Sequence, residues 1–476
     1  MESSSGASPP ASPPALAPAA STPVPDVRAP RPARGAQIEL TVDSLAFGGA
    51  GVARSDGYVV FVSGAIPGDR VRAQVSKRKR AYAEAHVVEL LEPSPERVPP
   101  RAAHPGVPWQ VLPYERQLQI KQDQVADALR RIGHLEGFEL DPILPAEQTW
   151  RYRNKLEYSF GTGDDGALIC GFHEPGRWDR IVAVEDCLLA SPAGNRAREA
   201  VLAWCREQGL GAYDRRSGEG VLRNLVVREG RRTDQVQVRL VTGPADLDLA
   251  GLAEAIDVAG LLWTRSVAAA ESTATGDTTL VAGSGRLEER LGDLSLRISP
   301  LAFFQTNTEM AERLYRLAAR AADLQGWERV YDLYSGIGTI GLSLASRAGE
   351  VWGLEVVAQA VSDAQANARI NELANVRFAA GDVRVSLREL VVGAGRPDVM
   401  VVDPPRAGLS AKIVRRIIEA GPRRLVYVSC NPTTLAPNAA QLTEAGWTLR
   451  RVSPVDMFPH TPHIECVALL EKGPAS

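Results

Sequence analysis

The sequence predicts an α/β protein: a C-terminal parallel sheet with helices on both faces, preceded by a small β-barrel and a mixed α+β segment. From about Pro300 onward, short apolar strands alternate with helical segments, which is typical of a parallel sheet. Between Gln37 and Leu91, five short β-runs broken by glycine indicate the barrel. The length of 476 residues and the hydrophobic content of 45% allow several domains with sizeable cores.

Residues 1–34 form a low-complexity tail of mostly Ala, Pro and Ser, with arginines at positions 28, 31 and 34. Such a composition buries too little apolar surface to offset its ordering entropy, so we expect a disordered tail. No run approaches the roughly 20 apolar residues that cross a bilayer, and the N-terminus lacks the basic-then-apolar order of a secretory signal. A cytoplasmic protein without a membrane partner is expected.

The cysteines are five in number, widely spaced and without a CxxC pair: Cys170, Cys187, Cys205, Cys430 and Cys466. An odd count at such spacing argues against a disulfide framework and against a simple zinc site. We therefore expect reduced thiols and no bound metal.

The barrel is expected over residues 35–92. Its strands are predicted at Ile38–Val42, Gly51–Ala53, Tyr58–Val62, Arg70–Val75 and Ala81–Leu91. The net charge of −3 gives no overall signature of nucleic-acid binding, so any polyanion would be held by local patches. Lys77, Arg78, Lys79 and Arg80 form such a patch, or else a solvated hairpin that protects an edge strand.

A mixed central domain is expected over residues 93–299. A proline-rich connector, Pro93–Pro108, leads to a helix at Tyr114–Ile132 that ends at Gly133. Strands are predicted at Trp150–Phe160 and Leu222–Arg228. Both carry polar and basic residues that suggest contact with a nucleic acid: Arg151, Arg153, Asn154, Lys155, Arg223, Asn224 and Arg228.

The C-terminal domain, residues 300–476, is predicted to be Rossmann-like. Its parallel strands are expected at Arg329–Leu333, Glu350–Leu354, Val376–Ala379, Asp398–Asp403 and Arg424–Ser429, and its helices at Ile340–Arg347, Val361–Asn371 and Lys412–Ala420. An antiparallel pair, Thr448–Ser453 and Glu465–Leu470, is expected to close the sheet.

A glycine-rich turn follows the first of these strands, Gly336-x-Gly338-x-x-Gly341, and Glu355 ends the next strand. NAD and S-adenosylmethionine sites share this geometry, because both need a close backbone approach under an adenosine and an acid for its ribose. Asp382 ends the third strand and Asp403-Pro404-Pro405-Arg406 ends the fourth, where a methyltransferase places its substrate loop. These acids favour S-adenosylmethionine over NAD.

The Asp403-Pro404-Pro405-Arg406 loop is similar to the (Asn/Asp)-Pro-Pro-(Tyr/Phe) loops with which amino-group methyltransferases clamp a flipped base. Here Arg406 replaces the aromatic residue, which removes a stacking platform and provides a guanidinium for a carbonyl or phosphate. Methylation of a base nitrogen is therefore the alternative reading of the site.

Cys430 follows the apolar strand Leu425–Val428, so it should emerge at the carboxyl end of the sheet, where such folds bind ligands. A thiolate there would make methylation of a uracil at C5 possible, because C5 is too poor a nucleophile to take a methyl group until a thiolate has added at C6. Glu465 is the predicted base for the C5 proton, with His460 and His463 as alternatives. The alternatives without a catalytic role are that Cys430 is a small buried hydrophobic residue and that Glu465 is a surface charge.

Over roughly residues 37–472 these motifs resemble the uracil-C5 RNA methyltransferases that act on transfer and ribosomal RNA. Ser44–Ala53, with Gly64–Asp69 after it, resembles the TRAM domain, an OB-like RNA-binding barrel. The resemblance implies S-adenosylmethionine as cofactor, Cys430 as nucleophile, Glu465 as base and Asp403 near both donor and uracil. The implied cofactor residues are Gln305, Tyr334, Gly336, Gly338, Thr339, Glu355, Asp382 and Asp403.

RNA, either transfer or ribosomal, is the expected partner, held in part by Lys77–Arg80 and Arg406, and no obligate protein partner is evident. Cytosine-C5 enzymes are the near rival, but they place a second cysteine in the Asp-Pro-Pro region, and this sequence has none between Cys205 and Cys430. An alternative of another kind is that the protein binds RNA without catalysing a reaction. The presence of Cys430, Asp403 and Glu465 argues against it.

Many relatives carry a four-cysteine iron–sulfur cluster, whose matching positions here are Val98, His104, Val107 and Cys187. A single thiolate does not hold a cubane cluster, so no cluster is expected. Ser335, where the family often has cysteine, is expected to change packing only.

Overall fold

The computed structural model describes residues 31–267 and 273–473. The disorder predicted for the tail concerns residues that lie almost entirely outside these ranges. Three parts follow one another in the described chain: a closed barrel, a seven-stranded sheet and an eight-stranded sheet. Within the described residues no helix is both long and apolar enough to cross a membrane.

The barrel closes in the order β1-β2-β3-β5-β4, which confirms the prediction of a small barrel. Its strands are β1 (Gln37–Leu45), β2 (Gly51–Ser55), β3 (Tyr58–Ser63), β4 (Arg70–Arg78) and β5 (Tyr82–Glu92). Every second residue of β4 points inward, so Val71, Ala73 and Val75 are buried in the barrel core. Closure leaves few strand edges open, which suits a domain of this size.

A connecting segment then crosses to the C-terminal domain before the central sheet begins. It contains helix α1 (Tyr114–Asp127), which continues as a π-helical turn over Ala128–Ile132, and the two-residue strand β6 (Glu139–Leu140). Val125 and Leu129 of this segment are buried in the core of the C-terminal domain. The segment thus packs on the C-terminal sheet, although the chain enters the central sheet directly after it.

The central sheet has the order β13-β12-β11-β10-β7-β8-β9. Its elements are β7 (Lys155–Thr162), β8 (Leu168–Glu174), β9 (Arg177–Ala183), α2 (Pro192–Glu207), β10 (Leu222–Gly230), β11 (Gln235–Thr242), α3 (Ala250–Ala255), β12 (Gly260–Arg265) and β13 (Asp277–Gly283). A hairpin, β14 (Leu287–Leu291) and β15 (Leu294–Ile298), links it to the C-terminal domain. Residues 150–154, predicted as strand, precede β7, and Arg151 there has a positive φ of 56°.

The C-terminal sheet has the order β18-β17-β16-β19-β20-β22-β21-β6, in which the first five strands are parallel and β22 is antiparallel to both of its neighbours. Its strands are β16 (Arg329–Leu333), β17 (Glu350–Glu355), β18 (Val376–Ala380), β19 (Val399–Val402), β20 (Arg424–Ser429), β21 (Trp447–Val455) and β22 (Glu465–Lys472). The Rossmann-like prediction is confirmed, and β6 adds an edge strand from the connecting segment.

Helices cover both faces of this sheet, which explains why a strand such as Val399–Val402 is apolar and buried throughout. The helices are α4 (Thr308–Ala322), α5 (Thr339–Leu344), α6 (Ala358–Ile370), α7 (Val383–Ala394), α8 (Ala411–Ala420) and α9 (Pro432–Glu444). Met310, Leu314 and Val361 pack in the core on one face, and Ile417 and Leu435 in the core on the other. The sequence did not predict α4, α7 or α9.

Candidate active site

The turn between β16 and α5 forms a cradle at the carboxyl end of the sheet. Tyr334, Gly336 and Gly338 all have positive φ angles, of 64°, 52° and 88°. A Cβ at Gly338 would lie 2.6 Å from Cζ of Phe378, so only glycine fits this position. At Gly336 an added Cβ would meet nothing within 4 Å, so the backbone is open at this glycine, as close approach of an adenosine requires.

Two carboxylates shape the cradle. Glu355 accepts hydrogen bonds from the N–H groups of Gly336 (3.1 Å) and Val357 (2.9 Å), which joins the glycine turn to the end of β17. Asp332 accepts from the N–H of Gly341 (2.8 Å), and burial raises the pKa of its carboxyl to about 7. Its other oxygen, Oδ1, is buried with no protein partner. The sequence analysis assigned no role to Asp332, although it lies near the end of β16, four residues before Gly336.

The other predicted cofactor residues border the same cradle. Thr339 begins α5 and donates from its hydroxyl to that of Tyr315 (3.1 Å). Asp382 caps α7 by accepting from the N–H of Arg384 (2.8 Å), and the Arg384 side chain holds the pKa of this carboxyl below its usual value. A glycine cradle, strand-end acids and an orphaned buried carboxylate oxygen fit S-adenosylmethionine.

Gln305 is buried in a loop, residues 299–308, that the central sheet holds in place. Asn154 donates from its side-chain amide to the carbonyl of Gln305 (2.9 Å) and to the hydroxyl of Thr308 (2.8 Å). The buried guanidinium of Arg228 donates to the carbonyls of Ser299 (3.1 Å) and Ala302 (2.7 Å). Asn154 and Arg228 were grouped with RNA-facing residues from sequence, but the structure buries both in this loop contact.

Cys430 and Glu465 face each other across two neighbouring strands. The antiparallel pairing of β20 and β22 ends with Ser429 opposite Cys466; extending this register by one residue beyond β20 brings Cys430 beside Glu465, in agreement with the effect of Glu465 on the pKa of the Cys430 thiol. Residues opposite each other in such a pair have Cβ atoms about 5 Å apart. The predicted nucleophile and the predicted base therefore lie together, although 35 residues separate them in the chain.

Asp403 and Arg406 complete a group of four ionisable side chains. The pKa of the Cys430 thiol is raised to about 11, mainly by burial and also by the nearby Glu465 and Asp403, while Arg406 opposes the shift. Burial raises the pKa of Glu465 well above its usual value, with Asp403 adding to this and Arg406 opposing it. Burial also raises the pKa of Asp403 to about 7.

Asn431 fixes the turn that carries Cys430. Its side-chain oxygen caps α9 by accepting from the N–H of Thr433 (3.0 Å), and its amide donates to the carbonyl of Arg406 (3.1 Å). One side chain thus joins the Cys430 turn, the helix after it and the Asp403–Arg406 loop.

The segment from Asp456 to Ile464, termed here the base loop, delivers Glu465 to the site. Asp456 at its start is fully buried and accepts from Nζ of Lys121 (2.6 Å) and the hydroxyl of Tyr114 (2.8 Å), both on α1. Lys121 also donates to the carbonyl of Phe458 (3.2 Å). Helix α1 therefore anchors the base loop through a buried ion pair.

His460, one of the alternative bases, is occupied in the same anchor. The backbone N–H of His460 donates to Oε1 of Gln117 (2.9 Å), and its ring Nδ1 lies 3.0 Å from Nε2 of the same glutamine. The imidazole ring stacks on Trp150, with the ring centres 4.2 Å apart. Burial lowers the pKa of His460 to about 4, and that of His463 to about 4. The contacts of His460 indicate a role in holding the loop, and Glu465 is better placed opposite Cys430.

The barrel touches the base loop through the turn between β1 and β2. A Cβ at Gly49 would lie 3.0 Å from Cγ of Pro462, whereas a Cβ at Gly48 would meet nothing within 4 Å. The two glycines have nearly equal φ angles, 94° and 95°. They form a matched pair in which an added methyl group would meet the base loop at Gly49 and not at Gly48.

We expect Gly49→Ala to lower turnover more than Gly48→Ala. Both changes strain the backbone equally, but only the first displaces Pro462 by a few tenths of an ångström. The loss should stay below the roughly 100-fold that a 1 Å misplacement of a reacting group costs. Steady-state methylation assays on the two variants measure the difference; equal turnover would show that the barrel contact does not position Glu465.

Of the four positions that match the iron–sulfur cysteines of relatives, His104 and Cys187 are in contact with each other. Nε2 of His104 lies 3.2 Å from Sγ of Cys187, the ring of His104 packs on Phe172, and Val107 is fully buried. One thiol, one imidazole and apolar side chains do not fit a four-thiolate cluster. Among the described residues no group of three or more His, Cys, Asp or Glu could hold a metal ion. The absence of a cluster stays a prediction, which an iron assay and a visible absorption spectrum test.

The basic patch Lys77–Arg80 lies away from the site. Strand β4 runs antiparallel to β1 with Gln37 opposite Gln74, so the patch is at the barrel end opposite Gly49. Nine residues of β1 separate the two ends, a distance of roughly 25–30 Å. Arg406, in contrast, lies in the site itself, since it shifts the pKa values of Cys430 and Glu465.

Comparison with known families agrees with this architecture. Residues 286–473 match the family model of tRNA (uracil-5-)-methyltransferase, and residues 33–88 match that of the TRAM domain. An uncharacterized RNA methyltransferase of Bacteroides thetaiotaomicron is 39% identical over 90% of this chain and 100% of its own length. Another, from Halalkalibacterium halodurans, is 38% identical over 91% of this chain and 96% of its own.

A solved structure is similar over nearly the whole chain. It is the Pyrococcus abyssi tRNA (uracil-54, C5)-methyltransferase in complex with S-adenosyl-L-homocysteine. The TM-score is 0.75 and the identity 29%, covering 91% of this chain and 100% of the other. Sequence and fold agree: the chain belongs to the family of S-adenosylmethionine-dependent RNA (uracil-5-)-methyltransferases with an N-terminal TRAM domain.

Proposed function

We propose that the protein methylates C5 of a uridine in structured RNA through a covalent bond between Cys430 and C6 of the uracil. The observation that carries the proposal is the nearness of Cys430 and Glu465 at the carboxyl end of the sheet: Cys430 directly follows β20, whose last residue pairs with Cys466 of β22, and the charge of Glu465 acts on the Cys430 thiol. Methylation at C5 through a covalent adduct needs two groups beside the same uracil ring: a thiolate that adds to C6 and a general base that accepts the C5 proton.

In the proposed cycle the thiolate of Cys430 adds to C6, and the C5–C6 π electrons move toward C5 and the O4 carbonyl. S-Adenosylmethionine, which Gln305, Tyr334, Glu355 and Asp382 would hold around the glycine cradle, would supply the electrophilic methyl group: the C5 electron pair would form the new C–C bond, and S-adenosylhomocysteine would leave with the sulfur–methyl pair. Glu465 then takes the proton from C5. Those electrons restore the C5–C6 double bond, and the Cys430 thiolate leaves with the sulfur–C6 pair.

The electrostatics of the site support these roles, with Cys430 as the nucleophile and Glu465 as the general base. The raised pKa of Glu465 makes its carboxylate a stronger base, as removal of a proton from carbon requires. The guanidinium of Arg406 favours the thiolate form of Cys430 and is suited to a uracil carbonyl. Asp403, with a pKa of about 7, can hold or release a proton near neutral pH.

The test uses labelled S-adenosylmethionine and RNA that contains 5-fluorouridine. Fluorine at C5 cannot leave as a proton, so the cycle should stop at an adduct that survives denaturation and maps to Cys430. Cys430→Ser should give no adduct and no methylated RNA. Methyl transfer to ordinary RNA without an adduct would instead support methylation of a ring or amino nitrogen, the alternative raised by the Asp-Pro-Pro loop.

The trapped RNA also identifies the substrate. Transfer RNA is the first to assay, since the Pyrococcus abyssi neighbour acts on uracil-54 of tRNA. Recovery of ribosomal RNA fragments in the adduct, with tRNA unmodified, would assign the activity to ribosomal RNA.

The pH dependence of adduct formation should follow the Cys430 thiol. Its pKa is raised to about 11, so the neutral thiol dominates below that value and the nucleophilic thiolate grows with pH. We expect the single-turnover rate of adduct formation to rise between pH 6 and 9. Arg406→Gln removes a cation that lowers this pKa, so its rate should be slower at pH 7 and its profile should shift to higher pH.

Arg423→Gln is the matched control for that experiment. Arg423 lies over the ring of Trp327, at the amino end of the C-terminal sheet and away from Cys430. Its rate and profile should equal those of the unaltered enzyme. A profile for Arg406→Gln that also stays unchanged would contradict the electrostatic role of Arg406.

A further inference from the structure

A second concave surface lies on the central sheet, far from the cofactor cradle. It is a cavity of about 440 Å³ between β7, β8, β9 and the segment before β10, and its lining includes five arginines and three aspartates. We name it the arginine cavity and define it by Arg177, Trp178, Tyr213, Arg215, Arg216 and Arg223. Its volume lies within the range of ligand sites.

An exposed aromatic ring sits among these cations. Trp178 is 55% exposed, and the guanidinium carbons of Arg215 and Arg216 lie 5.7 and 5.5 Å from its ring centre. Arg223 lies over the ring of Tyr213 at 4.3 Å. Some of the positive charge is neutralised, since Asp179 accepts from Arg177 and Arg216, both at 3.0 Å.

Charges alone have a simpler explanation. Strand β9 is the edge of the sheet, and charged side chains on an edge strand prevent pairing with other chains. An exposed tryptophan does not serve that purpose, because it adds apolar surface to the edge. Aromatic rings beside arginines in a concave groove are instead typical of proteins that bind single-stranded nucleic acid, whose bases stack on the rings.

The position of the cavity sets the length of RNA required. Asn154, directly before β7, touches the Gln305 loop, whereas Phe160 and Thr162 at the other end of β7 line the cavity. Eight residues of strand span about 25 Å. A stacked strand advances about 3.4 Å per nucleotide, so about seven nucleotides would span β7 from the Gln305 loop to the cavity.

We propose that the arginine cavity binds an unpaired nucleotide of the substrate RNA about seven positions from the target uridine, with its base stacked on Trp178. The inference rests on the proposed function, because it assumes that RNA already occupies the catalytic site. It assigns the central sheet a role in selecting RNA by shape at a distance, separate from the chemistry at Cys430.

The test compares two substrates: a transcript that the enzyme methylates and a short oligonucleotide of about five nucleotides centred on the target uridine. We expect Trp178→Ala to weaken binding of the transcript about 5- to 150-fold, the range for loss of one stacked base. The kcat should not change, and neither should binding of the oligonucleotide. Trp178→Phe, which keeps an aromatic face, should restore most of the affinity.

Trp327→Ala is the matched control. Trp327 is 62% exposed and also lies beside an arginine, but it precedes β16 at the amino end of its sheet. This variant should bind both RNAs normally. Unchanged binding of the transcript by Trp178→Ala would overturn the proposal and leave the cavity to a protein partner, and equal weakening of both RNAs would overturn it as well.

Failure of the proposed function would look different. The unaltered enzyme retains Trp178, so the absence of its adduct with 5-fluorouridine RNA would refute the covalent cycle and not the role of the cavity. A normal adduct together with a length-independent Trp178→Ala would refute only the role of the cavity.

Discussion

Glu465→Gln should turn a transient covalent complex into a stable one on ordinary uridine RNA. Glutamine keeps the shape of this buried side chain, which is only 4% exposed, but it does not accept the C5 proton. Addition of Cys430 and methyl transfer should proceed, and release should stop. We expect turnover to fall about 10²–10⁴-fold, the usual loss on removal of a general base.

Denaturing gels with labelled S-adenosylmethionine measure this outcome, since label should appear in a protein–RNA band without a fluorinated base. The double variant Cys430→Ala with Glu465→Gln is the control and should show no such band. Normal release of 5-methyluridine by Glu465→Gln would mean that another group removes the proton, and Asp403 would be the next residue to replace.

Lys121→Met should cause the largest loss of stability. The change leaves Asp456 buried with no cation, since Lys121 and Asp456 are both fully buried and lie 2.6 Å apart. Burial lowers the pKa of Lys121, and the carboxylate of Asp456 opposes that shift. Loss of one partner of a buried pair costs about 3–5 kcal/mol. Thermal unfolding followed by circular dichroism measures the change.

Two control variants separate the loss of a buried charge pair from the loss of a lysine as such. Lys77→Met breaks an exposed pair, with Glu84 at 3.2 Å, and should leave the melting temperature unchanged. The double variant Lys121→Met with Asp456→Leu removes both buried charges and should recover much of the stability. If Lys121→Met melted like the unaltered protein, the ion pair would not anchor the base loop.

The sequence allowed the strand-end residues to be found because apolar strands are easy to recognise. Asp403 and Cys430 each follow a buried run, and parallel strands end at one edge of the sheet. Glu465 was harder, because its place opposite Cys430 depends on the register of an antiparallel pair that a single sequence does not specify. The roles of these residues stay predictions until the variants are assayed.

Contacts between distant parts of the chain explain what was missed. Lys121 and Asp456 are separated by 335 residues, so neither looked unusual in its own segment. Arg228 and Asn154 appeared to be polar residues on strand faces, and their burial depends on the loop at residues 299–308 that covers them. Helix α9 was missed because Pro432 and Pro437 obscure its pattern, although Pro432 sits in its first turn.

The two-residue strand β6 has a consequence for how this enzyme can be divided. It pairs with β21, with Glu139 beside Arg451 and Leu140 beside Val452, and it comes from the segment before the central sheet. A fragment beginning at residue 286, where the family match to the catalytic part starts, would lack both this strand and α1. Such a fragment would expose the edge of β21 and lose the partner of Asp456. The catalytic part is thus completed by residues that precede it by more than a hundred positions, and gene truncation or domain exchange at that boundary would not yield an independent module.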